Sequence, residues 1–170
     1  MMSMKYRTLE LNIISAKDLK GFNLFSKTSV YAVVSISGDP LNPQTATTYI
    51  HRATRRNPTW NIPVKFIVNE SLANQNCLSL EVKLLSHRKF LPCDTIIGTF
   101  HIPLKVLLDN TAGDSFRKVL CQVRKTSGKP KGTLNLSYKF GNHVKAPTTK
   151  KVAKNDDFGM VWDHYWWVLL

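Results

Sequence analysis

Three short stretches of this chain join cationic to apolar or amide side chains in a way suited to anionic surfaces. The first is Lys20-Gly-Phe-Asn-Leu-Phe-Ser-Lys27, in which Phe22, Leu24 and Phe25 stand between two lysines. The second is Arg88-Lys-Phe-Leu91, where Phe90 and Leu91 follow directly on two cations. Ammonium and guanidinium groups bind phosphate oxygens, and rings beside them suit the glycerol level of a lipid leaflet. At about 1 kcal/mol per basic residue near an anionic leaflet, such loops would dock reversibly. The plainer alternative is that Phe22, Leu24 and Phe25 cap a core while the lysines stay solvated. The third stretch is His51-Arg-Ala-Thr-Arg-Arg56, with Lys65 further along. The planar fork of Arg52, Arg55 and Arg56 matches phosphate oxygens, and a solvated basic loop is again the alternative.

Other chemistries lack their residue sets. There is no G-x-S-x-G, no phosphate-binding glycine loop, no pair of carboxylates in one loop and no Ser/His/Asp set in context, so catalysis is not expected. His87 and His101 have no second ligand at zinc spacing. Cys77, Cys93 and Cys121 are odd in number, far apart and outside any CxxC arrangement. That pattern predicts reduced thiols in a cytosolic protein, and Asp94 next to Cys93 gives no reactive setting. Nucleic acid is disfavoured as partner, because no helix carries a basic face and no strand alternates aromatic with basic residues.

Those loops need a scaffold, and composition supplies one. The chain has 170 residues, 43% hydrophobic and 21% charged, enough for one domain with a core that needs neither metal nor disulfide. Charge is the unusual quantity: 24 Lys+Arg against 11 Asp+Glu, net +13. Such a surface expects nucleic acid, phospholipid headgroups or an acidic protein face. Residues 1–142 hold 20 basic and 8 acidic residues and 143–170 hold 4 and 3, so the cationic field belongs to the first part. Met1–Thr8 has no apolar core of a secretory signal. No run reaches the roughly 20 apolar residues of a membrane span; Val161–Leu170 is half that and contains Asp163 and His164. Membrane contact is therefore expected to be peripheral.

Period-two alternation predicts strands. It runs through Leu9, Leu11 and Ile13; Val30, Ala32, Val34 and Ile36; Trp60 to Val68; Leu78 to Leu84; and Leu134, Leu136, Tyr138 and Phe140. Segments Thr95–Ile102 and Phe116–Val123 and the weaker Thr45–His51 make eight candidates. Ser37-Gly-Asp-Pro40, Arg56-Asn-Pro58 and Ser127-Gly-Lys-Pro130 supply turns. Pro103–Leu108 is the helical candidate of note, with proline at its first position. The expected fold is an all-β, eight-stranded antiparallel sandwich over residues 1–142 with a short helix in one connection. Residues 143–170 read as a flexible basic linker and an aromatic tail bearing Trp162, Trp166 and Trp167. Pro58 is placed just before a strand beside a buried Trp60, and Gly98 marks a bulge or close backbone approach. The cations Arg117, Lys118, Arg124, Lys125, Lys129 and Lys131 around the last hairpin are read as keeping an edge soluble.

The order of Leu9-Glu-Leu-Asn-Ile-Ile-Ser-Ala-Lys-Asp-Leu19, Ser29-Val-Tyr-Ala-Val-Val34, Asn57-Pro-Thr-Trp-Asn61 and Ile97-Gly-Thr-Phe100 resembles a C2 domain. Ser37-Gly-Asp-Pro40, Val68-Asn-Glu-Ser-Leu72 and Gly132-Thr-Leu-Asn-Leu-Ser-Tyr-Lys-Phe140 sharpen the likeness to small plant C2 proteins of the cold- and stress-induced SRC type. The resemblance implies a sandwich whose apical loops can bind calcium and phospholipid. It implies a basic groove on the third and fourth strands, here His51, Arg52, Arg55, Arg56 and Lys65. Lys20, Phe22, Phe25, Lys27, Arg88, Lys89 and Phe90 fall in the apical loops. Calcium would be held by aspartates from two of them, but the matching positions read Asn23, Ser29, Ser86, Arg88 and Asp94, one carboxylate in all. Asp18 lies one turn too early and Asp39 in another loop. Arg88 and Lys89 sit where the metal's charge would be, and even two unit charges ~4 Å apart repel by about 4 kcal/mol at an intermediate dielectric, so no cofactor is expected. The expected function is that of a non-enzymatic, monomeric adaptor in plant stress or defence signalling. It would dock on anionic membranes without calcium, and calcium-dependent docking and nucleic-acid binding are the alternatives.

Overall fold

The computed structural model describes residues 4–19, 29–50, 57–111 and 113–147. Its strands are β1 (Tyr6–Lys17), β2 (Ser29–Ser37), β3 (Gln44–Thr47), β4 (Thr59–Asn69), β5 (Ser79–His87), β6 (Thr95–Pro103), β7 (Arg117–Arg124) and β8 (Pro130–Val144). Helix α1 (Glu70–Asn74) joins β4 to β5, and α2 (Leu104–Asp109) joins β6 to β7. The hydrogen-bonded order is β3-β2-β5-β6-β7-β8-β1-β4, with every pairing antiparallel.

Alternation is realised as layers. Leu9, Leu11 and Ile13 of β1 lie opposite Phe140, Tyr138 and Leu136 of β8, and all six are buried. Val34 and Ile36 face Val82 and Leu80 in the other half. Outward-facing Glu10 sits between Lys65 and Lys139 on its two neighbours and pairs with Lys139 at 3.6 Å. Between the halves, β6 and β7 share one register pair, Thr99 with Arg124.

The two edge strands are stitched together by one side chain. Gln44 Nε2 donates to the Ile67 carbonyl at 2.6 Å, and the Ile67 N–H donates back to Gln44 Oε1 at 2.8 Å. Asn42 Nδ2 adds a third bond, 3.1 Å, to the same carbonyl. The amide of Gln44 thus imitates a strand residue, satisfying edge groups that would otherwise invite a foreign strand.

Local expectations are met at Pro58, Trp60 and Gly98. Pro58 immediately precedes β4, its carbonyl accepts from the Ala16 N–H at 2.9 Å, and Trp60 is 3% exposed with its Nε1 directed to the Val30 carbonyl. Gly98 combines both predicted features. The register slips beside it, and a Cβ there would lie 2.6 Å from Val123 Cγ1 and 2.9 Å from the Arg124 carbonyl oxygen. Pro103 is not the first helical residue as expected: it closes β6 in an extended conformation and stands as the cap before the six residues of α2. The five residues of α1 were not foreseen; Asn69 caps them by accepting from the Leu72 N–H, and Glu70 opens the turn. Cys77 and Cys93 are exposed, while Cys121 is buried and its thiol is pushed up to about 12 by that burial. No helix among the described residues is long and apolar enough to cross a membrane.

Candidate functional site

Strand direction decides which loops meet. β1 ends at Lys17 opposite Thr133 near the start of β8, and β4 begins at Thr59 opposite Ser15. β2 begins at Ser29 opposite His87, and the adjoining Ser86 faces Thr95 at the start of β6. Arg124, the last residue of β7, is level with Thr99 of β6. The β1–β2, β3–β4, β5–β6 and β7–β8 connections therefore all leave from one end of the sandwich. Asn57 ties two of them together, its Oδ1 accepting from the Asp18 N–H at 3.0 Å where Asp18 turns left-handed at φ 54.

Lys20, Phe22, Asn23, Phe25 and Lys27 of the first connection lie outside the described residues. So do His51, Arg52, Arg55 and Arg56 of the second, and the tail with Trp162, Trp166 and Trp167. Lys65 is exposed in the middle of β4, opposite Glu10. The third and fourth strands stand at opposite ends of the strand order but meet where Gln44 bonds to Ile67, two residues along β4 from Lys65. Arg88, Lys89 and Phe90 form the tip of the β5–β6 loop, closed by a Leu91 N–H to Arg88 carbonyl bond of 3.2 Å. Phe90 is 93% exposed. Neither Arg88 nor Lys89 makes an ion pair among the described residues.

Asp94 closes the same loop and already has two partners. The Tyr31 hydroxyl donates to its Oδ2 at 2.5 Å, and His87 Nδ1 lies 2.9 Å from its Oδ1. The Tyr31 bond holds the Asp94 carboxyl below the usual carboxylate range. His87 and the Arg88 backbone N–H act in the same direction, while partial burial opposes them. Burial, and then the Asp94 carboxylate, push the Tyr31 phenol up to about 12. Ser86 is 1% exposed, and its Oγ has no hydrogen-bond partner. Reading residues in order misses Tyr31 as the partner of Asp94, because 63 positions separate them. Alternation alone would have shown only that Tyr31 points outward near the start of β2.

Comparison with known proteins agrees with this architecture. A family model described as C2 domain matches residues 7–119. The chain belongs to the C2 domain family. Its match to Protein SRC2 of Glycine max is 64% identical over 156 residues, covering 90% of this chain and 53% of that protein. A second, to the Protein SRC2 homolog of Arabidopsis thaliana, is 38% identical over 138 residues, covering 81% and 42%. The chain thus spans about half the length of these relatives. Among solved structures, a C2 domain of plant Extended Synaptotagmin 1 superposes with a TM-score of 0.66 at 18% identity, covering 82% of this chain and 97% of that one. The likeness to the SRC group is thereby upheld. The family match stops inside β7, yet β8 is central to this C2 domain, pairing with both β1 and β7.

A calcium ion in this C2 domain would draw on Ser29, Ser86, Arg88 and Asp94. They do not fit it. A hard cation needs several carboxylate or carbonyl oxygens, and among these four described residues the single carboxylate is already hydrogen-bonded to Tyr31 and His87. Among the described residues, no three His, Cys, Asp or Glu side chains gather at one place.

Proposed function

We propose that this C2 protein docks peripherally on anionic phospholipid membranes without calcium. The observation that carries the reading is at Asp94. Tyr31 and His87 occupy the carboxylate, and so fix the base of the β5–β6 loop, while Arg88, Lys89 and Phe90 project beyond it without ion-pair partners among the described residues. Lipid phosphates would meet Arg88 and Lys89, and the phenyl ring would enter the interface. Lys20, Phe22, Phe25 and Lys27, outside the described residues, would add their charges and rings to this contact. His51, Arg52, Arg55, Arg56 and Lys65 would offer a second phosphate-binding surface.

The chain would act without catalysis of its own, as a monomer on the plasma membrane or endomembranes. Its remaining faces would recruit protein partners in plant stress or defence signalling, the role that the likeness to SRC-type proteins supports. Sedimentation with phosphatidylserine or phosphoinositide vesicles tests the docking. The protein should pellet equally in EGTA and in calcium, and less as salt rises. Equal pelleting with neutral phosphatidylcholine vesicles, or a requirement for calcium, would refute the reading.

A further inference from the structure

The cations around the β7–β8 hairpin are expected to keep an edge soluble, and β7 pairs along its length with β8 alone, meeting β6 only at Thr99–Arg124. Its turn also faces the same way as the β5–β6 loop. From the Thr99–Arg124 pair, the chain runs on through Lys125 to Lys129 toward the level of Thr95 and Ile96, where β6 begins. Ile96 is 54% exposed and Leu91 48% exposed, so the β5–β6 loop and the start of β6 present apolar side chains besides Phe90.

The turn is built to hold its charges still. The Lys125 N–H donates to the Lys129 carbonyl at 2.9 Å and the Gly128 N–H to the Lys125 carbonyl at 2.8 Å, with Gly128 at φ 83. The Arg124 guanidinium reaches over it, donating to the Gly128 carbonyl at 2.9 Å and to Gln122 Oε1 at 2.7 Å. Lys125 and Lys129 are thereby fixed opposite one another, an arrangement in which like charges repel. Neither makes an ion pair among the described residues. Lys131 behind them is 7% exposed, and burial and Lys125 together disfavour its charged form. By contrast, Glu70 is paired with Arg7 and His143, Asp109 with Lys105, Glu81 with Lys83 and Glu10 with Lys139, all away from this end. Like charges held close favour an anionic counterpart, and adjoining exposed apolar side chains favour one with an apolar interior.

We propose that the β7–β8 hairpin, through Lys125 and Lys129 with Ile96 beside them, is a second foot of the membrane-docking surface that binds phospholipid phosphates while the β5–β6 loop inserts. This rests on the docking reading above, deepens it, and fixes the domain end-on to the bilayer.

The test uses the full chain and phosphatidylcholine vesicles with and without phosphatidylserine. Lys125→Ala/Lys129→Ala should weaken binding to the anionic vesicles about thirty-fold, the equivalent of about 2 kcal/mol for two basic residues. The urea midpoint should stay at the wild-type value, since both side chains are exposed. A dye on Ser127→Cys, in a chain carrying Cys77→Ser and Cys93→Ser, should brighten on anionic vesicles. If wild type binds these vesicles and the double variant binds as tightly, the hairpin proposal fails while docking stands. If wild type does not bind, both fail. If the double variant keeps vesicle binding but loses retention on poly-glutamate, the hairpin is a protein-binding face and the proposal is overturned.

Discussion

Gly98→Ala is the sharpest test of how the two halves of the sandwich are joined. The neighbouring Thr99 makes the one register pair between β6 and β7. A methyl group at Gly98 would lie 2.6 Å from Val123 Cγ1, 2.9 Å from the Arg124 carbonyl oxygen and 3.3 Å from its carbon. Unstrained carbon contacts need about 3.5–4.0 Å, so β7 must retreat by about an ångström. Val123 is 0% exposed and cannot turn aside into solvent, and the Arg124 oxygen belongs to the backbone. Overpacking of this kind costs about 1–3 kcal/mol. With a urea dependence of about 2 kcal/mol per molar, the midpoint should fall by about 0.5–1.5 M. Far-UV circular dichroism across a urea series reads it directly. A midpoint within about 0.2 M of wild type, smaller than that range allows, would show that the junction yields freely and that the reasoning from close approach is wrong.

Gln44→Ala should remove both bonds to Ile67 and destabilise the domain by about 1–3 kcal/mol; hydrogen exchange should accelerate at the Ile67 N–H, and unchanged protection there would show that the edges do not depend on the amide. Phe90→Ala should leave the urea midpoint alone, because the ring is 93% exposed, yet weaken binding to anionic vesicles roughly 10- to 100-fold if the ring is buried in the interface. Acid and alkali should each loosen the Tyr31–Asp94 clamp. Asp94 titrates below its ordinary value, so its contribution is present above that value and lost as pH falls through the lowered one. Tyr31 titrates near 12, so its contribution is complete below pH 10, the ordinary tyrosine value, and lost as pH rises from 10 toward 12. Urea midpoints measured against pH should therefore be less pH-sensitive in both ranges for Tyr31→Phe than for wild type, and parallel curves would refute the clamp.

What could be read from residue order was whatever depends on near neighbours. Alternation is a period-two property of the chain, so the inner faces of β1, β2, β4, β5 and β8 were legible before any strand was paired. Pro58 and Gly98 were legible because a missing N–H or a missing Cβ restricts what the backbone beside them can do. The five-residue α1 was not legible, because it is too short for any apolar period to form. Pairing between distant segments decided the rest. Nothing local brings Tyr31 to Asp94 or Gln44 to Ile67; those contacts exist because β2 lies beside β5 and because the sheet curls until its edges meet. The same holds for the charges. Sequence showed a cationic domain, but antiparallel pairing alone determined that Arg88, Lys89, Lys125 and Lys129 leave from one end while Glu10, Glu70, Glu81 and Asp109 find partners elsewhere. Register is a property of two strands, and neither strand carries it by itself.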